Sequence, residues 1–277
     1  MRIKLNSIAF VILLSTQSFG LSLGDHKIVM TTAIADFNTC FPDKINSFST
    51  QALWMADLEE DTNLLRKDLL YSHFFNPEKK LNDLIRYDSS VRVLRLSEKI
   101  QNNSQLFGKF NPVILVDLGH LVHHIQDMAA PPHVVPVNHF FTDGFEKYAA
   151  STEDIRSGLS CDEIRNFSIT ENYQEIHRST ALVTLALVRK TPVPVTIHKS
   201  GQENVKSQLS SINFWLPALT DNFGKYGYFG NHFGDPDITI NQTNYSIPTE
   251  YYQNFKQSQL RLAVQSTLKA LSFFYLQ

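Results

Sequence analysis

The stretch from Asn111 to His133 constrains this chain more than any other. Asn111-Pro112 reads as a helix start, with Asn as N-cap and Pro in the first turn. The helix runs to about Met128 and is apolar almost all round, through Val113, Ile114, Leu115, Val116, Leu118, Leu121, Val122 and Ile125. A helix of that kind is buried. Yet it also carries His120, His123, His124 and Asp127, and a Pro131-Pro132 turn delivers His133 just after it. Buried polar groups need partners, and a metal ion is one such partner. His123 and Asp127 are four apart, so they share a helix face with Cβ atoms about 6 Å apart. His133 returns toward that face after the turn. Nitrogen and oxygen donors converging from a helix and its following loop suit a zinc site.

The rest of the chain reads mostly helical. Residues 26–37 form an apolar-rich segment. Residues 46–70 place Phe48, Leu53, Met55, Leu58, Leu64 and Leu65 at helical spacing. Asn76-Pro77 interrupts, and 80–102 reads as one or two amphipathic helices. Further helices are expected over 144–157, 169–190 and 249–275. Residues 191–248 differ: Pro192, Pro194, several glycines and aromatic-rich runs point to loops and short strands. No repeat, low-complexity tract or domain boundary stands out. The expected fold is mostly α, a single-domain multi-helix bundle with a loop-rich segment before the last helix.

The first twenty residues have a basic start at Arg2 and Lys4, an apolar run from Ile8 to Leu14, and small residues at Ser18 and Gly20. That is the pattern of a secretory signal peptide cleaved after Gly20; the apolar run is too short to span a bilayer. The expected domain then covers 21–277, in the periplasm or outside the cell. A formal charge of −2 and the lack of a basic stripe argue against a general nucleic-acid binder. Cys40 and Cys161 can pair in an oxidising compartment or remain two buried thiols.

Further donors lie at His26, at Asp57, at His73, and after His133 at His139, Asp143 and Glu146. Glu59, Glu60 and Asp61 read as a solvated helix face, with one of them able to substitute for Asp57 as a ligand. His120 and His124 read as hydrogen-bonded core histidines, and His198 and His232 fall in the loop-rich part.

These motifs together resemble the bacterial zinc-dependent phospholipase C family, which shares its fold with single-strand-specific zinc nucleases of the mung-bean type. The resemblance is carried by His123, three residues, Asp127, and then Pro131-x-His133. Ala56-Asp57, Ser72-His73-Phe74-Phe75-Asn76-Pro77, His26 with its apolar run, and the last helix from Arg261 to Tyr275 add to it. It covers most of 21–151 and the last helix, but not 191–248. It implies a trinuclear zinc site. The implied ligands are His26, Asp57, His73, His123, Asp127, His133, His139 and Glu146, plus the free amine and carbonyl of Leu21, where the family has Trp. Asp143 is the alternative to Glu146, and Thr142 stands where the family pattern has a histidine. Asp57 is also the implied catalytic base. The implied protein is an exported, monomeric hydrolase that meets a membrane surface. It would cleave the glycerol-side phosphodiester of phosphatidylcholine or a similar phospholipid by zinc-activated water, giving diacylglycerol and a phosphorylated head group, with no nucleic acid as partner. The alternatives are a 3′-nucleotidase or single-strand nuclease of the same fold, with the aromatic cluster at 223–233 stacking bases, and a non-catalytic zinc-stabilised secreted module.

Overall fold

Side-chain caps decide where most helices begin. In the computed structural model, which describes residues 21–63, 73–78, 88–135, 144–149, 151–198, 203–209, 233–240 and 242–277, α1 (Leu23–Cys40) opens with a capping box between Ser22 and Asp25. Asn46 caps α2 (Ser47–Thr62) and Asp88 caps α3 (Ser89–Phe107). α3 ends at Gly108, whose φ of 81° favours glycine. The Asn111 side chain accepts from Val113 N–H to start α4 (Pro112–Asp127), as the sequence predicts. Then follow α5 (Pro131–Val134), α6 (Gly144–Lys147), α7 (Cys161–Thr170) and α8 (Tyr173–Lys190). Four strands come next, β1 (Val193–His198), β2 (Val205–Leu209), β3 (Asp237–Ile240) and β4 (Thr243–Ser246), and α9 (Thr249–Leu276) closes the chain.

α4 is the central element. It packs against α2, α3, α8 and α9, and every residue from Asp117 to Asp127 is buried. Its closest partner is α2, and Gly119 is the reason. A Cβ at that position would lie 2.5 Å from the Leu53 carbonyl oxygen and 2.7 Å from Ala56 Cβ. With no side chain there, the two backbones nearly touch, so carboxylates on α2 meet histidines on α4. One contiguous hydrophobic core joins residues from α1 through the sheet to α9, which makes this the single mostly-α domain that the sequence predicts.

Residues 191–248 hold a small antiparallel sheet of order β2-β1-β4-β3 among the described residues. Three expectations are corrected. The helix expected over 144–157 stops at Lys147. Beyond it the backbone bonds to a polar stripe on α9: Gln253 accepts from Ser151 N–H at 2.9 Å, Arg261 donates to the Asp154 carbonyl at 2.7 Å, and Gln265 donates to the Ser157 carbonyl at 2.8 Å. The helix expected over 169–190 breaks at Glu171, because Asn172 caps a new helix in a capping box with Glu175. The segment 46–70 ends its helix at Thr62; residues 64–72, like the expected signal peptide, lie outside the described residues. Cys40 and Cys161 form a disulfide tying α1 to α7.

Candidate metal centre

Four separate segments bring donors to one buried place. α1 supplies His26 and α2 supplies Asp57 and Asp61. The stretch before Asn76-Pro77 supplies His73, and α4 with α5 supplies His123, Asp127 and His133. All of these are buried. His123 and Asp127 do share a face: His123 Nε2 lies 3.3 Å from Asp127 Oδ2. His123 Nδ1–H donates to Asp57 Oδ1 at 3.0 Å, and His73 Nδ1 lies 2.7 Å from Asp127 Oδ2. The His26 ring stacks on His123 at 4.2 Å between centroids, with Nε2 3.4 Å from Asp127 Oδ1.

A second layer fixes these rings. His26 Nδ1–H donates to Gln126 Oε1 at 2.6 Å, and Gln126 in turn donates to Thr267 on α9 at 3.1 Å. His133 Nδ1–H donates to the His73 carbonyl at 2.8 Å, while Phe75 N–H donates to the His133 carbonyl at 2.9 Å. That pair locks the turn after α4 to the segment carrying His73. Lys256, fully buried on α9, donates to the Phe145 carbonyl at 2.9 Å and lies 3.0 Å from Asp25 Oδ2. It thereby joins the start of α1 to the short helix that holds Glu146.

Burial works against charge on His26, as does His123, but the carboxylates of Asp57 and Asp127, each 3.4 Å away, prevail and raise its pKa to about 10. His123 is likewise held well above the usual imidazole value: burial opposes this, and the charges of Asp127 and Asp61 overcome it. Asp127 stays ionised far below the usual carboxylate range, because His133, His123 and His73 outweigh its burial. Protons on His26 and His123 thus do what a cation would do among these carboxylates. Burial pushes His133 down to about 4 and His124 down to about 3, which leaves both as neutral imidazoles.

Among the described residues, three donor groups can hold a metal ion: His26, His123 and Asp127; Asp61, His73 and His123; and His73, His124 and Asp127. Within each, the donor atoms lie within 4.8 Å of one another. Several buried donor atoms make no hydrogen bond, among them His26 Nε2, Asp57 Oδ2, His73 Nε2 and Asp127 Oδ1. A buried polar atom left unsatisfied costs about 1–3 kcal/mol, so a cluster of them favours uptake of a ligand that satisfies them together. Imidazole nitrogen and carboxylate oxygen are zinc donors. The residues fit a metal centre.

Of the other expected ligands, Leu21 is fully buried in the core beside the start of α1, and Glu146 is half-buried on α6. His139 and Asp143 lie outside the described residues. The solvated face expected at Glu59, Glu60 and Asp61 is corrected: only Glu59 is substantially exposed, while Glu60 and Asp61 are buried. Asp61 Oδ1 is 3.7 Å from His123 Nε2, and Asp61 Oδ2 is 3.7 Å from His26 Nε2. The signal was present, since Asp57, Glu60 and Asp61 share one helix face. His120 is a paired core histidine, 3.0 Å from Glu60 Oε1. His124 is not hydrogen-bonded and belongs to a donor group. Gln126 had no signal beyond being polar on a buried helix. His198 lies on β1, exposed, bonded to Asn204 and Ser246, and His232 is outside the described residues.

A mostly helical domain with a buried histidine–carboxylate centre is thereby defined. Its fold is that of the clostridial alpha-toxins. The alpha-toxin of Clostridium perfringens from avian strain SWCP matches with a TM-score of 0.57 and 13% identity over 94% of this chain. The alpha toxin from Clostridium absonum matches with a TM-score of 0.58 and 12% identity over 93% of it. The chain spans 64% of the length of each toxin. No family model and no curated protein sequence matches.

Proposed function

We propose that this chain is an exported zinc-dependent phospholipase C, its residues 1–20 removed as a signal peptide. One observation carries the reading: six ligands implied by the sequence resemblance, from four separate segments, meet in one buried cluster, several of whose donor atoms make no hydrogen bond. The alpha-toxin fold supports it. Among the described residues, no helix is long and apolar enough to cross a membrane, so membrane contact in this reading is at the surface.

His26, Asp57, His73, His123, Asp127 and His133 would hold zinc, joined by Leu21, His139 and Glu146. When bound, zinc neutralises phosphoryl oxygens, strengthens water as a nucleophile and stabilises the leaving alkoxide. Asp57 takes the proton of the attacking water; Oδ1 accepts from His123 and Oδ2 makes no hydrogen bond, so one oxygen is held while the other is left to accept a proton. The new bond joins the water oxygen to phosphorus, the bond from phosphorus to the glycerol oxygen breaks, and diacylglycerol leaves as the protonated alcohol. Asp127 keeps His73 and His123 oriented. The base-stacking role considered for the aromatic cluster at 223–233 finds no support at Phe233. That ring is buried and packs edge-on against Phe145, Tyr148 and Tyr252.

The test is an assay of the zinc-loaded chain on phosphatidylcholine vesicles, phosphatidylglycerol vesicles and single-stranded DNA, with and without chelator. Chelator-sensitive release of diacylglycerol is expected. Nucleotide release without diacylglycerol would contradict the reading.

A further inference from the structure

His124 has no role in the motif that carries the resemblance, yet it is fully buried and neither ring nitrogen makes a hydrogen bond. Its ring lies 5.1 Å from that of His73, centroid to centroid. One of its nitrogens lies within 4.8 Å of donor atoms on both His73 and Asp127. The nearest charged group on its other side is Glu60, with Oε2 3.7 Å from Nε2. That is too long for a hydrogen bond, and the other oxygen, Oε1, takes Arg92 at 2.7 Å and His120 at 3.0 Å.

We infer that His124 is an additional metal ligand, completing an ion held by His73 and Asp127. This rests on the reading that the cluster binds zinc, and it adds a donor that the family pattern does not contain. Two features support it. Neither ring nitrogen is taken up by a hydrogen bond within the protein, so the imidazole has donor capacity to spare. The ring is held beside two residues already in the cluster. His120, one turn earlier on α4, belongs to none of the donor groups and is paired with Glu59 and Glu60 instead.

The direct test uses the wild-type chain. Crystals of the zinc-loaded protein, measured on both sides of the zinc absorption edge, should show a metal peak about 2.1 Å from a His124 nitrogen. Zinc at other donors with none at His124 overturns this inference and leaves the metal centre standing. No zinc peak in the cluster overturns the metal centre itself. In solution, zinc binding read by competition with a chromophoric chelator should show one equivalent weakened in His124→Ala by more than the roughly 100-fold that loss of an outer partner costs. His120→Gln should bind zinc as the wild type does. A His124→Ala protein with every equivalent unchanged overturns the assignment; if that variant does not fold, the wild-type crystal decides.

Discussion

The two polar faces of α4 use the same residue types to different ends. On one, His120 meets Glu60, and Glu60 meets Arg92 at 2.7 Å. There a cation already stands beside the carboxylate, and among the described residues none of the three belongs to a group that could hold a metal ion. On the other, His123 and Asp127 meet His26, Asp57, Asp61 and His73, and donor atoms are left over. A buried histidine therefore says little by itself; whether a cation already stands among its neighbours separates a structural network from a ligand site. His124 stands between the two faces and shares the unfinished character of the second.

The largest expected effect is at the unfinished face. Asp127→Ala removes a residue common to two of the three donor groups. Diacylglycerol release should fall by more than the roughly 100-fold expected for an outer partner, together with loss of bound zinc by elemental analysis. Retained activity would erase the distinction between the faces.

At the face that already holds Arg92 the expected loss is of stability. Arg92→Met leaves Glu60 buried without its cation, a change that costs about 3–5 kcal/mol for buried pairs, read by urea unfolding with zinc content unchanged. This carries a pH signature. Burial works to raise Glu60, but His120 and Arg92 beside it overcome this and hold it below its ordinary value of 4.5. A depressed carboxylate stabilises the fold fully above the unfolded value and loses that contribution as pH falls. The acid-side loss of stability below about pH 4.5 should therefore be shallower in Arg92→Met than in the wild type.

Gly119 serves both faces, because it lets α2 approach. Gly119→Ala should destabilise by about 1–3 kcal/mol through overpacking, and it should weaken zinc binding too, since Asp57 and Asp61 move away from α4. Unchanged zinc affinity would mean that helix spacing does not set the site. Smaller still, Gln126→Ala frees the His26 ring and should cost about 10–100-fold in zinc affinity, with unfolding in the metal-free protein little altered.

Much of the fold and the site is legible in the amino-acid sequence. An apolar helix with histidines at four-residue spacing predicts α4, its burial and the shared face of His123 and Asp127. The family resemblance supplies His26, Asp57 and His73, which lie far apart in sequence and which spacing alone does not join. Asp61 is hidden inside a run of acids that resembles a solvated surface, and only helical periodicity separates Glu59 from its buried neighbours. Gln126 and His124 act through contacts to Thr267 and His73 that no local pattern encodes. The helix expected after Lys147 fails for a similar reason: Gln253, Arg261 and Gln265 on α9 take the backbone bonds that a helix would have made internally. Pairing of Cys40 with Cys161 is one of two outcomes open to the sequence, and the packing of both α1 and α7 on α9 decides it.

The central claim is that the unfinished face of α4 is a zinc centre for phospholipid hydrolysis. Its most direct test is a zinc titration of the metal-free chain, following diacylglycerol release from phosphatidylcholine vesicles and proton release in the same samples. Activity should rise with bound zinc, and protons should leave as His26 and His123 give up their raised pKa values to the metal. Zinc that binds without proton release or turnover, or turnover that persists without zinc, would contradict the claim.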